Sequence, residues 1–198
     1  MQSYDYAHRQ GVKDISWNEF AALSARLAEE LDRAGAEVVV GIARAGLFPA
    51  TAVACSLRRE LYPVRVTRRI NDEVVLKSPV WKVPVSPEVK GKVVAVVDEI
   101  ADTGETLALV ADSVRANGAA RVVTACLANH TWASPAPDIS ALVTDAFIIF
   151  PWDPEHERFK NGELTQPTDH GSPSVPSDNT TRLVLKDGRW LPYVKTGG

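Results

Sequence analysis

The chain has 198 residues, with 22 Lys and Arg against 25 Asp and Glu and 45% apolar side chains. That length is enough for one sizeable core, and no apolar run approaches the roughly 20 residues of a membrane-spanning helix. The charge is slightly negative, at −3, and the densest basic clusters are the pairs Arg58-Arg59 and Arg68-Arg69, which argues against a nucleic-acid binder.

In chain order, Met1 to Lys13 is polar and lacks the apolar stretch of a secretory signal, so a cytoplasmic location is expected. Ile15 to Ala34 reads as an amphipathic helix. Ser16 and Glu19 form a capping box, Phe20, Leu23, Leu27 and Leu31 make one face, and Gly35 ends it. Glu37 to Ile42 is a β-branched run without alternation, as in a strand buried on both faces. The loop Ala43-Arg44-Ala45-Gly46 leads to a helix predicted over Pro49 to Arg59. Tyr62 to Arg69 is a further strand. The span from Ile70 to Lys92, with Pro79, Pro84 and Pro87, reads as a hairpin or a flap.

Lys92 to Val97 is the clearest buried strand. A polar loop, Asp98 to Gly104, and a helix, Glu105 to Asn117, follow it. Arg121 to Leu127 and Leu142 to Ile149 are the next strands, the latter running into Pro151-Trp152. Asp169 to Asp178 is rich in Ser, Pro, Gly and Asp. Thr181 to Val194 is a hairpin turned at Asp187-Gly188. Alternating strands and helices define an α/β fold with a mainly parallel sheet flanked by helices. The expected division is a domain over residues 1–168, with a small hood, and a linker and C-terminal hairpin extension over 169–198. Cys55 and Cys126 sit in apolar surroundings and are expected to be buried and reduced. No CxxC or Cys/His pair at ligand spacing suggests zinc.

The stretch that carries chemistry is Lys92-Val-Val-Ala-Val-Val-Asp98-Glu99-Ile-Ala-Asp102-Thr103-Gly104-Glu105-Thr106-Leu107. Ligands bind beyond the carboxyl end of a strand in open α/β sheets. The amides of Thr103, Gly104, Glu105 and Thr106 open a helix, where unpaired N–H groups and the dipole favour an anion. Gly104 permits close backbone approach, and the threonine hydroxyls can donate to phosphate. Asp98 and Glu99 are acceptors suited to sugar hydroxyls. A phosphate cradle beside a diol clamp fits a ribose 5-phosphate. By itself the pattern is also that of a plain strand–turn–helix with Asp98 and Asp102 as caps.

This segment resembles the motif of type I phosphoribosyltransferases that binds phosphoribosyl pyrophosphate (PRPP): a hydrophobic strand, two acids, two apolar residues, then Asp-Thr-Gly-x-Thr. The resemblance spans roughly Trp17 to Asp153. It implies a hood over the site, Mg²⁺-PRPP as donor, and a nitrogenous base as acceptor. Products would be a nucleoside monophosphate and pyrophosphate, and the assembly a homodimer or higher homo-oligomer. Mg²⁺ would be held mainly through PRPP, with Asp98 and Glu99 as available ligands. Asp102 is implied as the base that takes the acceptor's proton. Ala43, Arg44, Ala45 and Gly46 resemble the pyrophosphate loop, with Arg44 as the family's arginine and a cis peptide expected before it. Phe147-Ile-Ile-Phe-Pro-Trp-Asp153 is similar to the end of xanthine-guanine phosphoribosyltransferases. That similarity implies stacking on Phe147 and edge contacts at Ile148, and so a purine acceptor.

The sequence departs from the family where 6-oxopurine enzymes carry a lysine. Here it reads Ala128-Asn129-His130-Thr131, so Asn129 or His130 is the candidate for the base edge. Another nitrogenous base, or PRPP sensing without turnover, is therefore an open alternative. Arg68, Arg69 and Lys77 are candidates to reach the pyrophosphate from a lid, or else belong to a solvated charged hairpin.

Overall fold

The computed structural model describes residues 9–67, 69–70, 73–74, 79–153, 182–186 and 189–193. The chain groups into two units, Ile15 to Asp145 and the residues on either side of that span.

In the larger unit, α1 (Trp17–Arg33) is capped by Ser16, whose Oγ accepts from Glu19 N at 3.2 Å, and it buries Ser24, Leu27, Ala28 and Leu31. Six strands form one sheet: β2 (Val38–Ile42), β3 (Glu60–Thr67), β6 (Val80–Val83), β7 (Val93–Ala101), β8 (Arg121–Asn129) and β9 (Ile139–Val143). Their spatial order is β6-β3-β2-β7-β8-β9. All pairings are parallel except β3 with β6, which forms an antiparallel edge. β2 is buried at every position, as expected for a central parallel strand.

α2 (Leu47–Leu57) connects β2 to β3, and α3 (Glu105–Ala116) connects β7 to β8. A side chain on Gly41 of β2 would meet Ala50 Cβ at 2.7 Å, so this glycine lets α2 lie close on the sheet. Leu107, Val110 and Val114 of α3 join Val40, Ile42, Val64, Val66, Val94 and Val96 in one core cluster. Val85 and Val89 complete that cluster. The proline-rich span therefore ends as packed structure, with β6 on the sheet edge and a 3-10 turn over Pro87–Val89 capped by Ser86. Two short strands, β4 (Arg69–Ile70) and β5 (Glu73–Val74), pair antiparallel before it. Arg68 and Lys77 lie outside the described residues.

Three expectations are corrected. The strand expected to stop at Val97 continues to Ala101, because β8 pairs with it at Asp98, Ile100 and Ala101. The strand expected over Leu142 to Ile149 is two. β9 ends at Val143, and β10 (Phe147–Ile149) pairs instead with β1 (Val12–Asp14). Cys55 is exposed, since α2 turns Pro49, Ala50, Val53 and Ala54 inward. Cys126 is buried, and burial pushes its thiol up to about 12.

In the smaller unit, β1 and β10 pair in parallel. β11 (Arg182–Lys186) and β12 (Arg189–Tyr193) form an antiparallel hairpin with Lys186 opposite Arg189. Its turn, Asp187-Gly188, and the stretch 154–181 lie outside the described residues. No helix among the described residues is long and apolar enough to cross a membrane.

Candidate active site

Chain direction across the sheet reverses between two neighbours. β2 leads through α2 to β3 on one side, while β7 leads through α3 to β8 on the other. The crevice beyond the carboxyl ends of such a pair is the ordinary ligand position in α/β sheets. The loops after β2 and β7 are the two that carry the motifs.

Ala43 N donates to Val64 O at 2.7 Å, which anchors the first loop to β3. The Ala43–Arg44 peptide is cis, as the resemblance implied. Arg44 is exposed. Gly46 starts α2 hard against the second motif: a Cβ there would lie 2.5 Å from Asp98 Oδ1 and 2.5 Å from Ile42 O. Only a glycine lets the loop and the acid meet this closely.

Asp98 is buried, and its Oδ1 accepts from Glu99 N at 3.0 Å. Burial first, and the adjacent Glu99 second, hold its carboxyl well above the usual carboxylate range. Such a pair favours a partner that brings hydrogen-bond donors or positive charge. Among the described residues no group of three or more His, Cys, Asp and Glu gathers to hold a metal. Two adjacent carboxylates do fit a Mg²⁺ ion that takes its remaining ligands from substrate oxygens and water.

β7 ends at Ala101, followed by Asp102, Thr103 and Gly104, the cap of α3. Gly104 has φ +84°, and a Cβ on it would run into the Pro135 carbonyl oxygen. Its missing side chain thus serves a close approach to Pro135, whereas the sequence suggested approach to a ligand. Ser134 N donates to Thr103 O at 2.9 Å, and His130 N donates to Ala101 O at 3.2 Å. The segment after β8 therefore braces the 102–104 loop. Thr103, Glu105 and Thr106 are exposed at the helix start. Thr103 Oγ1 accepts from Glu105 N at 3.4 Å.

Of the candidates for the base edge, Asn129 ends β8 and His130 follows it, beside this loop. Asn129 Oδ1 is buried without a hydrogen-bond partner. His130 is fully buried, its Nδ1 lies 2.6 Å from Thr144 O, and its ring stacks on Trp132 at 4.4 Å. Its Nε2 lies 3.7 Å from Asp102 Oδ1.

Phe147 and Ile148 belong to the smaller unit, opposite Val12 and Lys13 of β1. The Arg9 guanidinium lies over the Phe147 ring, 5.4 Å from its centre, an ordinary cation–π arrangement. Phe150 stacks on Trp152 at 4.7 Å, and Asp153 Oδ2 accepts from Phe150 N at 2.8 Å. Pro151-Trp152-Asp153 thus closes a turn. Arg9, Trp132 and Ser134-Pro135 were not singled out from sequence. Arg9 lies in a polar stretch with no period, and the brace at Pro135 is a tertiary contact.

A phosphoribosyl transferase domain model matches residues 15–158. A purine phosphoribosyltransferase from Pyrococcus horikoshii is 33% identical with a TM-score of 0.65, over 72% of this chain and 94% of that one. A xanthine-guanine-hypoxanthine phosphoribosyltransferase from Helicobacter pylori is 19% identical with a TM-score of 0.62, over 78% and 99% of the two chains. A hypothetical protein from Neisseria gonorrhoeae, solved with bound ppGpp, is 23% identical with a TM-score of 0.62 over the same shares, 78% and 99%. The last two likenesses show the fold alone. No curated protein sequence matches. The chain belongs to the phosphoribosyl transferase family.

Proposed function

We propose that the protein transfers the 5-phosphoribosyl group of PRPP to a purine base, releasing pyrophosphate and a nucleoside monophosphate. The observation that carries this reading is the meeting of Gly46 with Asp98 at the switch point of the sheet, with the start of α3 beside it. Residues 43–46, the Asp98-Glu99 pair and the start of α3 share one crevice, and this supports reading them as pyrophosphate loop, diol clamp and phosphate cradle.

In this reading the amides and hydroxyls of residues 103–106 hold the 5′-phosphate, and Asp98 and Glu99 accept from the ribose hydroxyls. Arg44 and the backbone of Ala43, Ala45 and Gly46 stabilise the leaving pyrophosphate. Charge develops there as the anomeric carbon becomes cationic, so fixed donors act where they are worth most. Mg²⁺, held by pyrophosphate oxygens and the acid pair, would supply further positive charge at that oxygen. Asp102 accepts the proton that the base nitrogen loses, help worth roughly 10²–10⁴-fold. Phe147 and Ile148 are assigned to the base by the similarity of their segment to xanthine-guanine enzymes. The purine phosphoribosyltransferase from Pyrococcus horikoshii supports the same acceptor class.

Asn129 favours a second reading of the acceptor. Its buried Oδ1 has no partner and can accept a hydrogen bond, which a lysine cannot do. An acceptor with a donor on that edge, including a non-purine base, suits it. Pyrophosphate release from Mg²⁺-PRPP across a panel of purine and non-purine bases tests both readings. Turnover with a purine is expected. Turnover only with another base would move the acceptor class, and PRPP binding without turnover on any base would make the protein a sensor.

A further inference from the structure

We propose that Arg9 is the second wall of the slot that takes the acceptor base, with Phe147 as the first, and that the protein without ligand holds this slot collapsed. The proposal rests on the phosphoribosyl-transfer reading for the identity of its ligand. Its residues all belong to the smaller unit.

The Arg9 guanidinium lies over the Phe147 ring, with its central carbon 5.4 Å from the ring centre. Both residues are half-buried. The backbone puts them together. Phe147 of β10 lies opposite Val12 of β1, and Phe147 N donates to Gly11 O at 2.9 Å. Gly11 has φ +74°, a conformation that residues with a side chain rarely adopt. A Cβ on it would meet nothing within 4 Å, so the turn requires this glycine and crowding does not. That turn separates β1 from Arg9 and aims the arginine back at the ring.

Distance shows that the slot is closed. Flat groups stack with their planes about 3.5 Å apart, so a guanidinium on the far side of a base stacked on Phe147 would stand about 7 Å from the ring. At 5.4 Å there is no room for a base between the two. Arg9 must move out by roughly 2 Å, and a long side chain next to a glycine turn can do so. The guanidinium then exchanges one aromatic face for another, leaving Phe147 to lie on the base. Unpaired bases are commonly held between aromatic rings and guanidinium planes. A planar, delocalised cation suits this place, and an ammonium does not. Such a slot recognises a flat nitrogenous ring and is indifferent to sugar and phosphate.

Calorimetric titration of wild type, Arg9→Ala and Arg9→Lys tests this, with inosine, guanosine and adenosine 5′-monophosphate and with ribose 5-phosphate. The nucleotides share their sugar and phosphate with ribose 5-phosphate and differ by the base. Arg9→Ala should weaken the preferred nucleotide about fivefold or more and leave ribose 5-phosphate unchanged. Arg9→Lys keeps the charge without the plane and should recover little of that loss. Tighter nucleotide binding in Arg9→Ala would make Arg9 a cover that the base displaces, and would overturn the proposal. Unchanged nucleotide binding with a lower melting temperature would overturn it too, by making the contact structural only. In either case the transfer reading stands as long as wild type binds ribose 5-phosphate and releases pyrophosphate from PRPP with a base. If wild type binds none of these ligands and no base supports that release, the transfer reading itself fails and the slot fails with it.

Discussion

Asp98 is the residue at which stability and binding pull in opposite directions. Its carboxyl is held above the usual range by burial and by Glu99, so ionising it costs the folded state more than the unfolded one. The stabilising effect of the bound proton is complete below the ordinary carboxylate value of about 4. It is lost as pH rises from there through the elevated folded value. Asp98→Asn removes that dependence. We expect a higher melting temperature at neutral pH without ligand, together with weaker Mg²⁺-PRPP binding in calorimetric titration. A lower melting temperature with unchanged affinity would take Asp98 out of the ribose site. Phe147 makes a second case. Stacking is worth roughly 0.5–1.5 kcal/mol beyond area burial, so Phe147→Ala should raise KM for the base several-fold and leave KM for PRPP alone. Equal effects on both substrates, with a lower melting temperature, would make Phe147 a structural residue only. Acids and threonines were legible as a group because their chemistry is local to one segment. The Arg9 contact with Phe147 was not, since the two residues lie far apart in sequence.

At the scale of elements, two glycines control how the motif loops meet. Gly104 needs both a positive φ and the space taken by the Pro135 carbonyl. A left-handed conformation costs a residue with a side chain about 1–2 kcal/mol, before the clash is counted. Gly104→Val should therefore lower the melting temperature and abolish binding of PRPP and nucleoside monophosphate alike. Intact phosphate binding in the variant would show that residues 103–106 are not the cradle. Gly46 has ordinary helical φ and ψ, −60° and −14°, so its requirement is space alone. Gly46→Ala should push the 43–46 loop off Asp98 and cut kcat by tenfold or more, an estimate from the sensitivity of reactions to misplacement. An unchanged kcat would separate the loop from the chemistry. Strand ends were the least legible features. A sequence reading stops β7 at its first acid, but cross-strand bonds to β8 carry it four residues further, to Ala101. The apolar run from Leu142 to Ile149 reads as continuous. It divides because its two halves pair with β8 and with β1, and Asp145 between them bonds Thr131.

For the whole molecule, the alternation of elements was enough to give the class of fold, and two loop motifs were enough to give the family. The grouping into two units was not visible, because β1 joins β10 from far away in the sequence. The family match ends at residue 158, so the hairpin of β11 and β12 lies beyond it. Residues 98–106 sit in the larger unit, and Phe147 sits in the smaller. The central claim is that the switch point of the six-stranded sheet is a phosphoribosyl site. The most direct test is a crystal structure of the protein grown with a purine nucleoside monophosphate. The 5′-phosphate should lie within hydrogen-bond distance of the backbone N–H groups of Thr103 to Thr106, with the ribose hydroxyls on Asp98 and Glu99. A nucleotide bound with its phosphate anywhere else would contradict the account.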